Sequence, residues 1–138
     1  MTEPFFKNID RIPFKGPDAD DPLAFTHYDP DRMVLGKRMA DPLRVAVCWW
    51  HTFCWPGTDM FGAGTFGRPW QTEDTLETAE AKLYAAFEFF EKLGAPFFCF
   101  HDADVAPLGE TIVEGNANLA HIEEFGAAGG DPDLTETR

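Results

Sequence analysis

Apolar positions fall into three distinct rhythms along this chain. From Asp74 to Leu93, the residues Leu76, Ala79, Leu83, Ala86, Phe87 and Phe90 recur three or four apart, the spacing of one helical face. Asp74 with Glu77 three residues later reads as a capping-box start, its acidic groups matching the helix dipole. Gly94 stands at the C′ position and Pro96 follows, so the helix ends there. Two other runs are apolar without that spacing: Arg44 to Trp50 (RVAVCWW) and Phe97 to Phe100 (FFCF). Their β-branched and aromatic content predicts buried strands. A helical stripe competes over LRVAVCWWHTF. Thr111 to Phe125 (TIVEGNANLAHIEEF) reads as a second helix, on which Ile112, Leu119 and Ile122 share a face. Strand, loop, helix, strand makes a βαβ unit, which implies a parallel sheet with a right-handed crossover. Trp50 and His101 then follow the carboxyl ends of adjacent strands and meet at one sheet edge.

The intervening stretches are punctuated by breakers. Met1 to Asp31 holds Pro4, Pro13, Gly16, Pro17, Pro22 and Pro30 beside Phe5, Phe6, Ile9, Ile12, Phe14, Leu23, Phe25 and Tyr28. Proline excludes helix, and so many large apolar groups exclude a solvated tail. The expectation is an extended arm that packs its aromatics on the domain or on a neighbouring subunit. Met33 to Leu43 reads as a short helix, weakened by Gly36 and interrupted at Asp41-Pro42. His51 to Trp70 contains Pro56, Gly57, Gly62, Gly64, Gly67 and Pro69 and reads as a long loop, a length that usually serves function. Gly126, Gly129, Gly130 and Asp131-Pro132 predict that helix stops near Phe125. The organisation expected is an N-terminal arm (1–36), an α/β body (37–125) and a disordered tail (126–138).

Charge narrows the partners. The chain has 138 residues and a formal net charge of −13, from 24 acidic against 11 basic residues. Such a chain is repelled by nucleic acid phosphates and by anionic membranes, so neither is an expected partner. The apolar run Val45 to Trp50 is far too short to span a bilayer. The N-terminus shows no signal-peptide pattern. Cys48, Cys54 and Cys99 are an odd set beside apolar runs, which fits reduced thiols and a cytoplasmic location.

Chemistry concentrates in FFCFHDAD, Phe97 to Asp104. A strand that ends in a histidine and two carboxylates is how α/β scaffolds present reactive groups. Asp104, by accepting a hydrogen bond from one ring nitrogen of His101, would fix the tautomer and raise the basicity of the other. That pair can act as general acid or base, or hold a substrate oxygen. A satisfied structural histidine is the competing reading. Asp102 and Asp104 could instead be ligands for a hard metal. Cys48, His51, Cys54 and Cys99 match no common zinc spacing, and the three cysteines read as buried free thiols. Trp49, Trp50, Phe53, Trp55, Phe61, Phe66 and Trp70 form a dense aromatic set. Most belong to a core, while those at strand ends can line a sugar pocket. No glycine pattern matches a phosphate cradle.

Five segments together carry a likeness to a family: DPLAFTHYDPDRMVLGKRM at Asp21 to Met39, LRVAVCWWHTF at Leu43 to Phe53, GTDMFGAGTFGRPW at Gly57 to Trp70, AAFEFFEKLGAPFFCFHDADVAP at Ala85 to Pro107, and EGNANL at Glu114 to Leu119. In these the chain resembles the N-terminal third of the longer-chain (class II) xylose isomerases, from about Phe5 to Phe125. The resemblance implies a (β/α)₈ TIM barrel, of which this chain supplies the first two or three βα units. It implies aldose–ketose isomerisation, D-xylose to D-xylulose and also glucose to fructose, by a hydride shift assisted by two divalent metal ions. Mg²⁺ is expected, with Mn²⁺ or Co²⁺ as alternatives. It assigns His101 to the sugar ring oxygen during ring opening and Asp104 as its partner. It places Trp50 in the substrate pocket and Phe61 in the active site of a neighbouring subunit of a homotetramer.

The family's metal ligands and catalytic lysine lie beyond the part matched, so no metal ligand is expected among these 138 residues. A full barrel needs about 250 residues. The expectation is a piece of an isomerase that is inactive alone. The alternative is a non-catalytic remnant that binds sugar or docks on an isomerase subunit. A third reading is a small sheet enzyme using His101 with a local metal.

Overall fold

An 18-residue helix, α1 (Leu76–Leu93), is the element on which the rest packs. The computed structural model describes residues 3–71 and 73–129. Its elements in order are β1 (Met33–Val34), β2 (Lys37–Arg38), β3 (Ala46–Cys48), a π-helical turn (Trp50–Cys54), α1, β4 (Phe97–Cys99), α2 (Asp102–Val105) and α3 (Ile112–Gly129). Mixed strands and helices make the class α/β, as expected. The described residues form two two-stranded sheets and no barrel.

Helix α1 ends as its sequence dictates. Gly94 takes the left-handed conformation at φ 72°, and its N–H closes on the carbonyls of Phe90 and Glu91. Its start differs by one residue from the Asp74–Glu77 expectation. Thr75 is the cap, and its hydroxyl accepts from the Thr78 N–H at 3.2 Å. Ala79, Leu83, Ala86 and Phe90 are buried along the predicted face, and Ala85 widens it.

Strands β3 and β4 are parallel, in register Ala46↔Phe97, Val47↔Phe98 and Cys48↔Cys99. The crossover between them is α1, so the βαβ unit is present. Side chains alternate across this sheet. Val47 is buried, and Phe98 packs toward the helix with its ring stacked on Phe90 at 5.0 Å. Ala46, Cys48, Phe97 and Cys99 lie on the opposite face and stay partly or fully exposed. The strand ends at Cys48, two residues short of expectation. Trp49 and the turn after it are helical, so the helical alternative holds for the second half of LRVAVCWWHTF.

The core is aromatic at its centre. Trp49, 1% exposed, packs its ring against Phe53, Phe90, Phe98 and Phe100. Phe53 also meets Trp70 and Phe89. Helix α3 adds the buried Ile122 and a side-chain hydrogen bond, His121 Nε2 to Glu80 Oε1 at 2.6 Å. Ile112, expected to share that face, is exposed at the first position of α3. Leu119 and Ile122 do pack inward. The helix continues past Phe125 to Gly129, since a glycine inside a helix costs only about 1 kcal/mol against alanine. Of the expected tail, residues 130–138 lie outside the described residues.

The N-terminal arm packs on its own domain. Phe5 and Phe6 set their rings 5.5 and 6.1 Å from Trp70. Their backbone N–H groups donate to the Glu88 carboxylate, Phe5 at 2.7 Å and Phe6 at 3.2 Å. Lys92 Nζ, 2.8 Å from Glu88, donates to the Phe6 carbonyl, and Ile12 N–H donates to the Lys92 carbonyl at 2.7 Å. Further along, Phe14 and Phe25 pair as an isolated bridge.

The predicted helix at Met33 to Leu43 is a correction. The segment is a tight antiparallel hairpin, with register Met33↔Arg38 and Val34↔Lys37. Leu35 at φ 52° and Gly36 at φ 81° are the two central residues of its turn. Two successive positive φ values are what a type I′ hairpin requires and what a helix forbids.

Candidate functional site

The site forms where β3 and β4 end. Past Cys48 the chain coils into the π-helical turn, which buries Trp49 and turns Trp50 to the sheet edge. Past Cys99 the chain enters α2, a single turn that begins after His101. These two short helical pieces bring Trp50 against His101, with ring centroids 4.6 Å apart and planes inclined by 37°. The meeting at one edge, expected from the order of elements, is present.

His101 and Asp104 make a closed local network. His101 Nδ1 lies 3.0 Å from Asp104 Oδ2. The same oxygen accepts from the His101 backbone N–H at 2.8 Å. In return, the Asp104 backbone N–H donates to the His101 carbonyl at 3.0 Å. The side chain of Asp104 is 14% exposed and that of His101 is 66% exposed. A carboxylate has no proton to give, so the ring nitrogen facing it must be the donor. Nδ1–H is then fixed toward Asp104, and Nε2 is left to accept or release a proton. The Trp50 ring covers the imidazole from one side. The arrangement can hold and move a proton on an oxygen presented at the strand edge.

Cys54 buttresses this corner, a role the sequence did not signal. Its Sγ lies 3.4 Å from the Asp104 carbonyl and donates to it, tying the π-helical turn to α2. Lys82 Nζ, reaching from α1, is 3.7 Å from the same sulfur. Burial pushes the Cys54 thiol up, against the Lys82 ammonium and together with the Asp104 charge. The thiol therefore stays protonated near neutrality and keeps donating. A periodic reading could not find this, because the two partners are fifty residues apart.

Phe61 is not part of this corner. It is 90% exposed at a turn in which its own N–H donates to Asp59 Oδ1 at 2.7 Å. Met60 beside it is equally bare. Asp102 caps the neighbouring Ala103 N–H at 2.8 Å and leans toward a separate concavity of about 380 Å³. That concavity lies between α2 and α3, with Pro107, Thr111, Asn116 and Leu119 in its wall, and excludes His101 and Asp104. Among the described residues, no group of three or more His, Cys, Asp or Glu side chains could hold a metal ion. The described residues do not fit a dinuclear metal centre. Among the described residues, no helix is long and apolar enough to cross a membrane.

No family model matches the sequence. Individual relatives do. The xylose isomerase of Pseudomonas syringae pv. syringae is 57% identical over 120 residues, which is 86% of this chain and 27% of that protein. The xylose isomerase of Photobacterium profundum is 57% identical over 123 residues, 88% of this chain and 28% of its own length. The xylose isomerase of Salmonella typhi is 54% identical over 125 residues, 90% of this chain and 28% of its own length. The chain thus spans less than a third of the length of the curated relatives it matches. By sequence, this chain belongs with the N-terminal portion of the xylose isomerases.

Proposed function

We propose that this chain contributes the sugar-ring-opening corner of an aldose–ketose isomerase that converts D-xylose to D-xylulose and glucose to fructose. The observation that carries the reading is the Trp50–His101–Asp104 arrangement at the carboxyl edge of a parallel βαβ unit. Ring opening of a cyclic aldose moves one proton from the anomeric hydroxyl to the ring oxygen. Neutral His101 can take the first at Nε2, and its imidazolium can give the second. Asp104 holds the ring and favours the charged form during transfer. Trp50 offers a flat face for the C–H side of the sugar.

In this reading residues 37–125 begin a (β/α)₈ barrel, residues 1–36 are its arm and residues 126–138 its tail. β3–α1 and β4–α3 are its first two units. Phe61, exposed at its turn, reaches a neighbouring subunit of a tetramer, a cytoplasmic enzyme. The two divalent ions expected of such enzymes would supply Lewis-acid chemistry, and among the described residues no group would hold them. The 138-residue chain alone is inactive.

A chimera tests this. The Pseudomonas syringae enzyme, its matching segment replaced by this chain's residues, should isomerise xylose. His101→Gln in that chimera should lower kcat by about 10²-fold or more on cyclic sugar. Full activity in His101→Gln would refute the assignment, as would isomerisation by the 138-residue chain alone. The second reading, a docking remnant, is favoured by the bare Met60, Phe61, Ile112 and Val113. A stable complex with an isomerase subunit, without turnover, would support it.

A further inference from the structure

A chain of hydrogen bonds runs from α1 to the His101–Asp104 pair. Helix α2 is a single turn, Asp102–Val105. So short a helix leaves its last carbonyls without partners inside the helix, and Asp104 is its next-to-last residue. The Cys54 thiol donates to the Asp104 carbonyl at 3.4 Å. Lys82 Nζ, reaching from α1, donates to the same sulfur at 3.7 Å. An ammonium has donors only, so the sulfur accepts from Lys82 and turns its own hydrogen toward Asp104. Burial, ahead of the opposing Lys82 ammonium, keeps that hydrogen on the sulfur near neutrality. Lys82, Cys54 and Asp104 are all half-buried. The backbone of the π-helical turn is held as well. Trp70 Nε1 donates to the Phe53 carbonyl at 3.0 Å, and Gln71 Nε2 donates to the Cys54 carbonyl. All these contacts lie within one βαβ unit and the turn of α2 that follows it. None needs a surface that is open only where the chain ends.

We propose that Lys82 and Cys54 are positioning residues for the His101–Asp104 pair, setting through the Asp104 carbonyl the angle at which its carboxylate meets the imidazole. Carbonyl and carboxylate hang from one Cα, so a rotation of the Asp104 peptide swings the side chain. Asp104 Oδ2 accepts from His101 Nδ1 at 3.0 Å and from the His101 backbone N–H at 2.8 Å. Only one placement of the carboxylate satisfies both donors. Cys54 supplies the tie that holds this placement from outside α2, and Lys82 sets the direction in which Cys54 donates. Neither side chain touches the sugar. The catalytic consequence rests on the ring-opening reading of this corner, whereas the geometric one stands without it.

Imidazole nitrogen shifts of His101 in the full chain test the geometry. Cys54→Ala should lower the Nδ1–H preference about threefold, the size of one modest hydrogen bond. Cys54→Ser, whose hydroxyl can donate, should restore most of it. Lys82→Met keeps the apolar stem, loses the ammonium and should shift the ratio the same way, about twofold. Because the effect passes through Asp104, Cys54→Ala should add nothing in an Asp104→Asn chain. An unchanged tautomer ratio in Cys54→Ala and Lys82→Met would overturn the proposal. So would a shift of equal size in the Asp104→Asn chain, or a Cys54→Ser chain no better than Cys54→Ala. In the Pseudomonas syringae chimera, Cys54→Ala should lower kcat on xylose about tenfold, short of the roughly 10²-fold that a 1 Å misplacement can cost. It should cost nothing further beside His101→Gln. Full activity of His101→Gln would refute the ring-opening reading and leave the tautomer result standing. An unmoved tautomer would refute the positioning role and leave ring opening standing.

Discussion

Glu88→Gln should release the N-terminal arm while leaving α1 in place. The Glu88 carboxylate accepts from the backbone N–H groups of Phe5 and Phe6 and pairs with Lys92 at 2.8 Å. Its side chain is only 17% exposed, so solvent screens these bonds little. Hydrogen bonds to a charged acceptor contribute about 1.5–3 kcal/mol against about 0.5–1.5 for a neutral one. Replacing the carboxylate by an amide therefore removes about 1 kcal/mol for each of the two backbone donors. The sum, about 2 kcal/mol, is roughly a thirtyfold drop in the docked population of the arm. Amide hydrogen exchange at Phe5 and Phe6 reads that ratio directly, corrected for intrinsic rates. The pH dependence has a definite sign. Burial alone would raise the Glu88 carboxyl, but Lys92 and the two backbone donors outweigh it and hold it below the ordinary 4.5. A lowered native pKa gives stability that is full above 4.5 and lost as pH falls through the lowered value. Arm protection in the parent chain should follow that course, and in Glu88→Gln the step should vanish. Equal exchange at Phe5 and Phe6 in the two proteins at neutral pH would refute the clamp.

Asp104→Asn should loosen the His101 tautomer. The exchange of a charged for a neutral partner removes about 1 kcal/mol, roughly a fivefold change in Nδ1–H preference, less solvent screening at the exposed ring. Nitrogen chemical shifts of the imidazole measure it, and an unchanged tautomer ratio would show that Asp104 does not set it. Leu35→Asn should stabilise the β1–β2 hairpin. Leu35 sits at positive φ with its side chain fully exposed, so no packing is lost. Relief of a left-handed conformation worth about 1 kcal/mol should slow exchange of the Met39 N–H, which bonds to the Arg32 carbonyl at 2.8 Å, about fivefold. Faster exchange would contradict the strain.

What the sequence made legible was whatever repeats over many residues. The face of α1 is spelled five times between Ala79 and Phe90, and Gly94 closes it with a conformation that glycine adopts readily. The strands were legible as apolar runs, and their order located the edge where Trp50 meets His101. What stayed hidden depends on single turns. The π-helical turn at Trp50–Cys54 and the one-turn α2 are too short to show a period. The hairpin at Met33–Arg38 turns on Leu-Gly rather than Asn-Gly or Asp-Gly, and it lacks alternating apolar residues. The thiol of Cys54 finds Asp104 only through the folded crossover.

The clamp between Phe5 and Glu88 also imposes an order on biosynthesis. Its partners are 83 residues apart, so the aromatic arm leaves the ribosome long before its binding surface exists. At about 5–20 residues per second, Phe5 and Phe6 wait roughly 4 to 17 s for α1 to follow. During that interval these two rings have no surface of their own to pack against, and they are open to chaperones and to other nascent chains.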